Sequence, residues 1–154
     1  MKAIINLTQH HASPSQIEAG VVEPGDKEEV KWLLSFEELP TAELIIERSG
    51  YLADIAVMEA QAHSTDQVMI GGASWLMGQL ECDLAERGLQ PVHAFSQRVS
   101  VDQAMDDGSI QKVSVFQHVG FVPALVAPEH SIDLGPASAV EESAPAPTAS
   151  RMGM

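Results

Sequence analysis

Three short stretches hold the side chains whose types and spacing suit chemistry. The first is Asn6, Thr8, Gln9, His10 and His11, a run of amide, hydroxyl and imidazole groups directly after an apolar segment. Such a set offers what a phosphate or a nucleobase edge needs, and a histidine there suits a general acid near neutral pH. The second is Gly71, Gly72, Ala73 and Ser74. Backbone N–H groups at a helix start bind anions through their geometry and the helix dipole. The spacing is neither the GxxxxGK[ST] phosphate loop nor the GxGxxG dinucleotide turn. The third is Ser96 with Arg98, joined by His118 further on; a guanidinium fork matches a phosphate. Each has a plain structural reading beside it: a polar loop capping a helix, a simple turn, an arginine paired with Asp102 or a helix acid. A metal site on His10 and His11 is disfavoured, because adjacent loop histidines diverge and no acid or cysteine stands near them.

These residues need a frame, and Gln67 to Gly88 supplies its centre. Val68, Met69 and Ile70 form an uncharged apolar run, as in a strand covered on both faces. Gly71 and Gly72 turn the chain, and Leu76, Leu80 and Leu84 recur every fourth residue along a helix. Gly88 is placed to end that helix left-handed, with Pro91 just beyond. Trp75, Met77 and Cys82 are expected in the core. A strand–glycine–helix unit builds open α/β sheets, which bind ligands outside the carboxyl ends of their strands. The expected fold is α/β and Rossmann-like: three or four parallel strands, helices around them, and an antiparallel hairpin at one edge.

The remaining segments fit that plan. Lys2 to Leu7 is a strand candidate, and Ser13, Pro14 and Gln16 match a helix start with a capping box. That helix is short, stopped by Gly20 and Pro24. Asp26 with Glu29 suggests a second capping box, and Val30, Leu33 and Leu34 an apolar side. Pro40 is expected at the first position of a longer helix, Thr41 to Ala60, with Leu44, Ile45, Leu52, Ile55 and Ala56 inward and a break near Gly50. Pro91 to Ser96 reads as a third strand of the unit. Val99, Val101 and Ile110 to Val122 suggest a hairpin turned by Asp107-Gly108 as a two-residue pair, partly covered on both sides. Residues 1–122 therefore form the α/β domain. From Pro123 onward Pro, Ala and Ser dominate without periodicity, and the segment 123–154 is expected to be a disordered tail.

The totals narrow the partners. A formal net charge of −14 over 154 residues argues against duplex DNA or an anionic membrane as partner. Aromatics at 5% argue against a base-stacking platform. The acids are unevenly spread: residues 1–16 and 87–101 contain none, so a local anion site is compatible with an acidic chain. A single cysteine, Cys82, excludes an intrachain disulfide and a thiolate zinc cluster. Without a membrane-length apolar run or a signal-peptide core, a cytoplasmic location is expected. No cofactor is implied. No G-x-S-x-G elbow or Ser/His/Asp hydrolase order stands out.

The opening IINLTQHHASPSQ resembles that of a group of short, mostly uncharacterised phage and prophage proteins. They share the hydrophobic-Asn-Leu-Thr-Gln-His start, here Asn6 to His10, then Ser13-Pro14 with Gln16. The resemblance continues through Phe36 to Pro40, Ile70 to Ala73, Ala94 to Ser96 with Arg98, and Ser114 to Val122, covering about residues 3–122. More loosely, Asn6, Thr8, His10, Pro14 and Gln16 are similar to the start of small CRISPR-associated proteins related to the CARF fold, some regarded as ring nucleases. That resemblance implies a Rossmann-like homo-oligomer, a dimer binding a cyclic oligoadenylate across its axis. It also implies metal-independent cleavage with the ribose 2′-hydroxyl as nucleophile. The chain departs from that pattern in its inserted helices and its C-terminal hairpin. The resulting expectation is a nucleotide-binding protein that captures or cleaves a cyclic oligonucleotide defence signal, with His10 as the acid. The alternative is an acidic interaction protein whose Ile17–Glu59 helices occupy a partner's basic nucleic-acid site.

Overall fold

The computed structural model describes residues 1–125. The expected tail, apart from its first three residues, lies outside the described residues. Five strands form one sheet in the order β2-β1-β3-β4-β5. They are β1 (Ile4–Leu7), β2 (Val21–Val22), β3 (Gln67–Ile70), β4 (Gln90–Ala104) and β5 (Ile110–Pro123). The first four run parallel, and β5 returns antiparallel to β4. The mixed α/β class with an antiparallel edge hairpin is therefore as expected. Strand β2 is a surprise: two residues between Gly20 and Pro24 are too few to show a period in sequence.

Four helices connect the strands: α1 (Pro14–Glu18), α2 (Lys27–Leu33), α3 (Ala42–Ala62) and α4 (Ser74–Glu86). Their ends follow local chemistry. Ser13 and Gln16 make both halves of the capping box on α1. Asp26 accepts from the Glu29 N–H at the start of α2, without the reciprocal bond. Thr41 caps α3 by accepting from Leu44 N–H, so Pro40 precedes the cap instead of entering the helix. Helix α3 runs unbroken through Gly50 because its packing outweighs a glycine cost of about 1 kcal/mol. Gly88 takes φ +80° after α4, and Leu89 N–H closes back on Leu84 O, as a glycine C-cap requires.

Alternation divides the parallel strands between two faces. Ile5, Leu7, Val68 and Ile70 join the main core with the helices, while Ile4, Val21, Met69 and Val92 form a smaller cluster on the other side. Leu52 on α3 and Leu76, Leu80 and Leu84 on α4 are fully buried. Each contributes about 1.5–3 kcal/mol by leaving water, more than helix propensity supplies. Leu44, Ile45 and Ile55 are only half-buried. Trp75 and Cys82, expected inside, are exposed, because both lie off the stripe that Leu76, Leu80 and Leu84 define; Met77 is buried as expected.

Strand β4 differs most from its expected form. It does not stop at Ser96 but continues to Ala104, paired with β5 along its outer length as a two-stranded ribbon. The ribbon is largely exposed, not covered on both sides. Its tip is a loop in which Met105 N–H donates to Ser109 O, with Gly108 at φ +86°. Asp107-Gly108 thus belongs to a three-residue connection with a left-handed glycine, not to a two-residue turn.

Candidate functional site

The sheet order reverses at β1. The chain leaves β1 for β2 on one side and returns through α2 and α3 to β3 on the other. Such a switch point opens a crevice beyond the carboxyl ends of the two central strands. A cavity of about 390 Å³ lies there. Thr8, Gln9, His10 and His11 come from the end of β1, Gly71 and Gly72 from the end of β3, and His93 and Ala94 from β4. No Asp or Glu among the described residues lines it. Two of the three expected stretches therefore converge.

The Thr8–His11 loop is shaped from below. Asn6 is fully buried, and its Oδ1 accepts from Thr8 N–H at 3.1 Å and from Thr8 Oγ1 at 2.7 Å. Its Nδ2 donates to His10 O at 2.9 Å and to Glu23 Oε2 at 3.0 Å. Lys27 Nζ donates to Thr8 O at 2.8 Å and His10 O at 2.9 Å, and pairs with Glu23 Oε1 at 3.0 Å. Glu23 also accepts from Ala12 N–H at 2.7 Å. Burial pushes the Glu23 carboxyl up, but the bonds from Ala12, Lys27 and Asn6 outweigh it and hold the group below its ordinary value. Asn6, expected to touch a ligand, instead holds the loop that would. The reason is that both faces of β1 are covered, so every residue of the strand, Asn6 included, is buried.

Gly71 and Gly72 line the cavity, whereas Ala73 and Ser74 do not. Gly72 adopts φ +153°, a conformation that favours glycine. Ala73 is the N-cap of α4 and lends it no side-chain bond.

The third stretch is placed elsewhere. Ser96 and Arg98 lie on the ribbon, where Ser96 pairs with His118 across the strands. Arg98 stacks 4.9 Å over the Phe116 ring, and Asp102 pairs with Lys112 instead of with Arg98. His118 packs 4.7 Å from the Phe121 ring. None of Ser96, Arg98 and His118 lines the cavity. Ser96 and Arg98 were expected there because a strand ending at Ser96 would leave them at the sheet's carboxyl rim, whereas β4 continues to Ala104.

In their place the structure brings His93, whose Nε2 is 2.7 Å from Glu81 Oε2 on α4. Twelve residues separate the two, on different elements. The only sequence signal for the pair is that a β-α-β unit lays its helix across both flanking strands. A carboxylate on one ring nitrogen fixes the tautomer and aim of the other, as in a general base. Among the described residues no group of three or more His, Cys, Asp or Glu side chains is placed to hold a metal ion. No helix among them is long and apolar enough to cross a membrane.

Residues 2–122 match the model of the uncharacterized protein MJ1673 family. The chain belongs to that family. The matched span contains every residue that lines the cavity and all of the β4–β5 ribbon except Pro123. Neither a comparison with curated proteins nor one with solved structures gave a match.

Proposed function

We propose that this member of the MJ1673 family is a Rossmann-like nucleotide-binding protein. The ligand class favoured by the resemblance of its opening residues to CARF-related proteins is a cyclic oligonucleotide defence signal. The observation that carries the reading is the acid-free cavity at the topological switch point, edged by Thr8, Gln9, His10, His11, Gly71 and Gly72. A space of this size falls in the ordinary range for small-molecule sites, about 300–1,000 Å³. It suits one nucleotide unit of a ring better than a whole ring.

Cleavage would need no metal. His93, aimed by Glu81, would take the proton from a ribose 2′-hydroxyl. The freed oxygen would attack the adjacent phosphorus, giving a 2′,3′-cyclic phosphate, while the departing 5′-oxygen takes a proton from His10. Titrating the chain with cyclic di-, tri- and tetranucleotides in a calorimeter, and separating the products by chromatography, tests both halves. Saturable heat with one class supports binding, and a linear product supports cleavage. No heat with any of them at large excess would remove the proposal.

A second reading keeps one observation of its own. Trp32, Phe36, Leu39 and Arg48 border a recess of about 440 Å³ together with Glu37 and Glu38. The Arg48 guanidinium lies 4.4 Å over Trp32 and 4.5 Å over Phe36, and Leu39 is 96% exposed. Aromatic and arginine anchors ringed by acids suit a protein partner with a basic surface. Reversing Glu28, Glu37, Glu38 and Glu43 to lysine should abolish capture of such a partner and leave nucleotide binding intact.

A further inference from the structure

Trp75 lies off the buried stripe of α4 and is 48% exposed, yet its ring is not loose. Phe36 meets it edge to face, with ring centroids 4.8 Å apart and planes at 77°. That contact holds the indole and leaves much of it open. The two rings stand in a recess of about 390 Å³, with Leu34 and Ala73 as apolar walls and Gln9 and Ser35 as polar ones. Gln9 also lines the switch-point cavity, so the two spaces adjoin across one side chain. That side chain is fixed. Ser35 gives its hydroxyl hydrogen to Lys31 O at 2.7 Å and therefore accepts from Gln9 Nε2 at 3.0 Å.

The two spaces are also within reach of one ligand. Gly72 lines the cavity and Trp75 the recess, and three residues span at most about 11 Å between Cα atoms. The cavity suits one nucleotide unit, so a longer ligand must leave it over a rim. Charge decides which rim. Glu23 stands 3.9 Å from His11 and Glu81 2.7 Å from His93, so those two sides are backed by carboxylates. No Asp or Glu among the described residues lines the recess, and a phosphate crossing Gln9 meets no like charge there. Beyond Phe36 the next recess carries Glu37 and Glu38, which oppose an anion going further. The uncharged path therefore ends after one extra unit, at an indole on which a base can stack. We propose that the Phe36–Trp75 recess is a second base subsite, where Trp75 stacks the base next to the one in the cavity. It is a single stacking position, not the row of rings that binds a long strand. The inference rests on the nucleotide reading and adds that the ligand carries at least two bases.

Calorimetry of the full chain with cyclic diadenylate, cyclic tetraadenylate and AMP tests it, since AMP can fill the cavity alone. Removing a stacked aromatic weakens binding by about 5- to 150-fold per base. Trp75→Ala should weaken both cyclic ligands by a factor in that range and leave the affinity for AMP unchanged. Trp75→Phe, which keeps a ring, should restore most of the loss. A Trp32→Phe chain keeps Trp75 as its one tryptophan, and that emission should be quenched by the cyclic ligands but not by AMP. Cyclic-ligand affinity unmoved by Trp75→Ala, or an equal loss for AMP, would overturn the subsite and leave the nucleotide reading standing. Emission that changes with protein concentration alone would also overturn it, by placing a second copy on the ring. No heat from the wild type with any of the three would remove the nucleotide reading and the subsite with it.

Discussion

Lys27 Nζ stands 3.0 Å from Glu23 Oε1, and between them the two side chains tie down the carbonyls of Thr8 and His10 and the N–H of Ala12. The ion pair is a bracket for the cavity's first loop. It acts on the site without lining it.

Lys27→Met should therefore unfold more easily than the wild type. Removing one partner of a buried pair costs about 3–5 kcal/mol. Glu23 is 32% exposed and keeps part of its hydration, so we expect less than that range, about 2–3 kcal/mol. A urea titration with unchanged slope and a lowered midpoint is the expected result. An unchanged midpoint would mean that the bracket contributes nothing.

The same carboxylate sets an acid limit. Its folded value lies below the ordinary one, so its share of stability is complete above the unfolded carboxyl value of about 4.3. That share is lost as pH falls through the lower folded value. Asp66, lowered mainly by the hydrogen bond from Lys2, acts in the same direction. Melting temperatures should fall from pH 5 downward. Glu23→Gln, less stable at neutral pH, should lose less over that window, and parallel curves would contradict the assignment.

His93 and Glu81 carry the chemical prediction. With a cyclic oligonucleotide that the protein turns over, His93→Ala should lower kcat by roughly 10²–10⁴, the usual worth of a positioned base. Affinity should change far less. Glu81→Gln should lower kcat less, because the ring keeps a hydrogen-bond partner but loses the carboxylate that would offset the positive charge formed when the ring takes a proton. Rates equal to the wild type in both variants would leave the pair a structural contact.

Gly50 is a simple check on α3. A Cβ built there meets nothing within 4 Å, and the helix is continuous. Gly50→Ala should stabilise the chain by about 0.5–1 kcal/mol, seen as a higher melting temperature. Loss of stability would show that the helix needs a softer joint at this point.

Much of this frame was legible from local signals, because those signals are local in physics too. The Ser13–Gln16 cap, the strand–glycine–helix unit and the Gly88 stop depend on residues within one or two turns of each other. What could not be read depends on neighbours far along the chain. Nothing near Ser96 says that β4 continues, since only pairing with β5 extends it. His93 and Glu81 meet because a helix crosses a strand. Asn6 was the exception, a readable feature misassigned: a short uncharged strand in a parallel sheet is covered on both faces, so either phase turns a residue inward. With β4 prolonged, Arg98 moved away from the cavity, and His93 stood in the position that Arg98 had been expected to fill.

The bracket under Thr8–His11 would also bear on how fast the proposed nucleotide is captured. A loop whose carbonyls and amides are already spoken for has little backbone freedom left to surrender when a guest arrives. The entropic toll of ordering it is met once, during folding, instead of at every encounter. Binding at such a rim should resemble a key entering a cut lock, with rapid association and little rearrangement of the polypeptide.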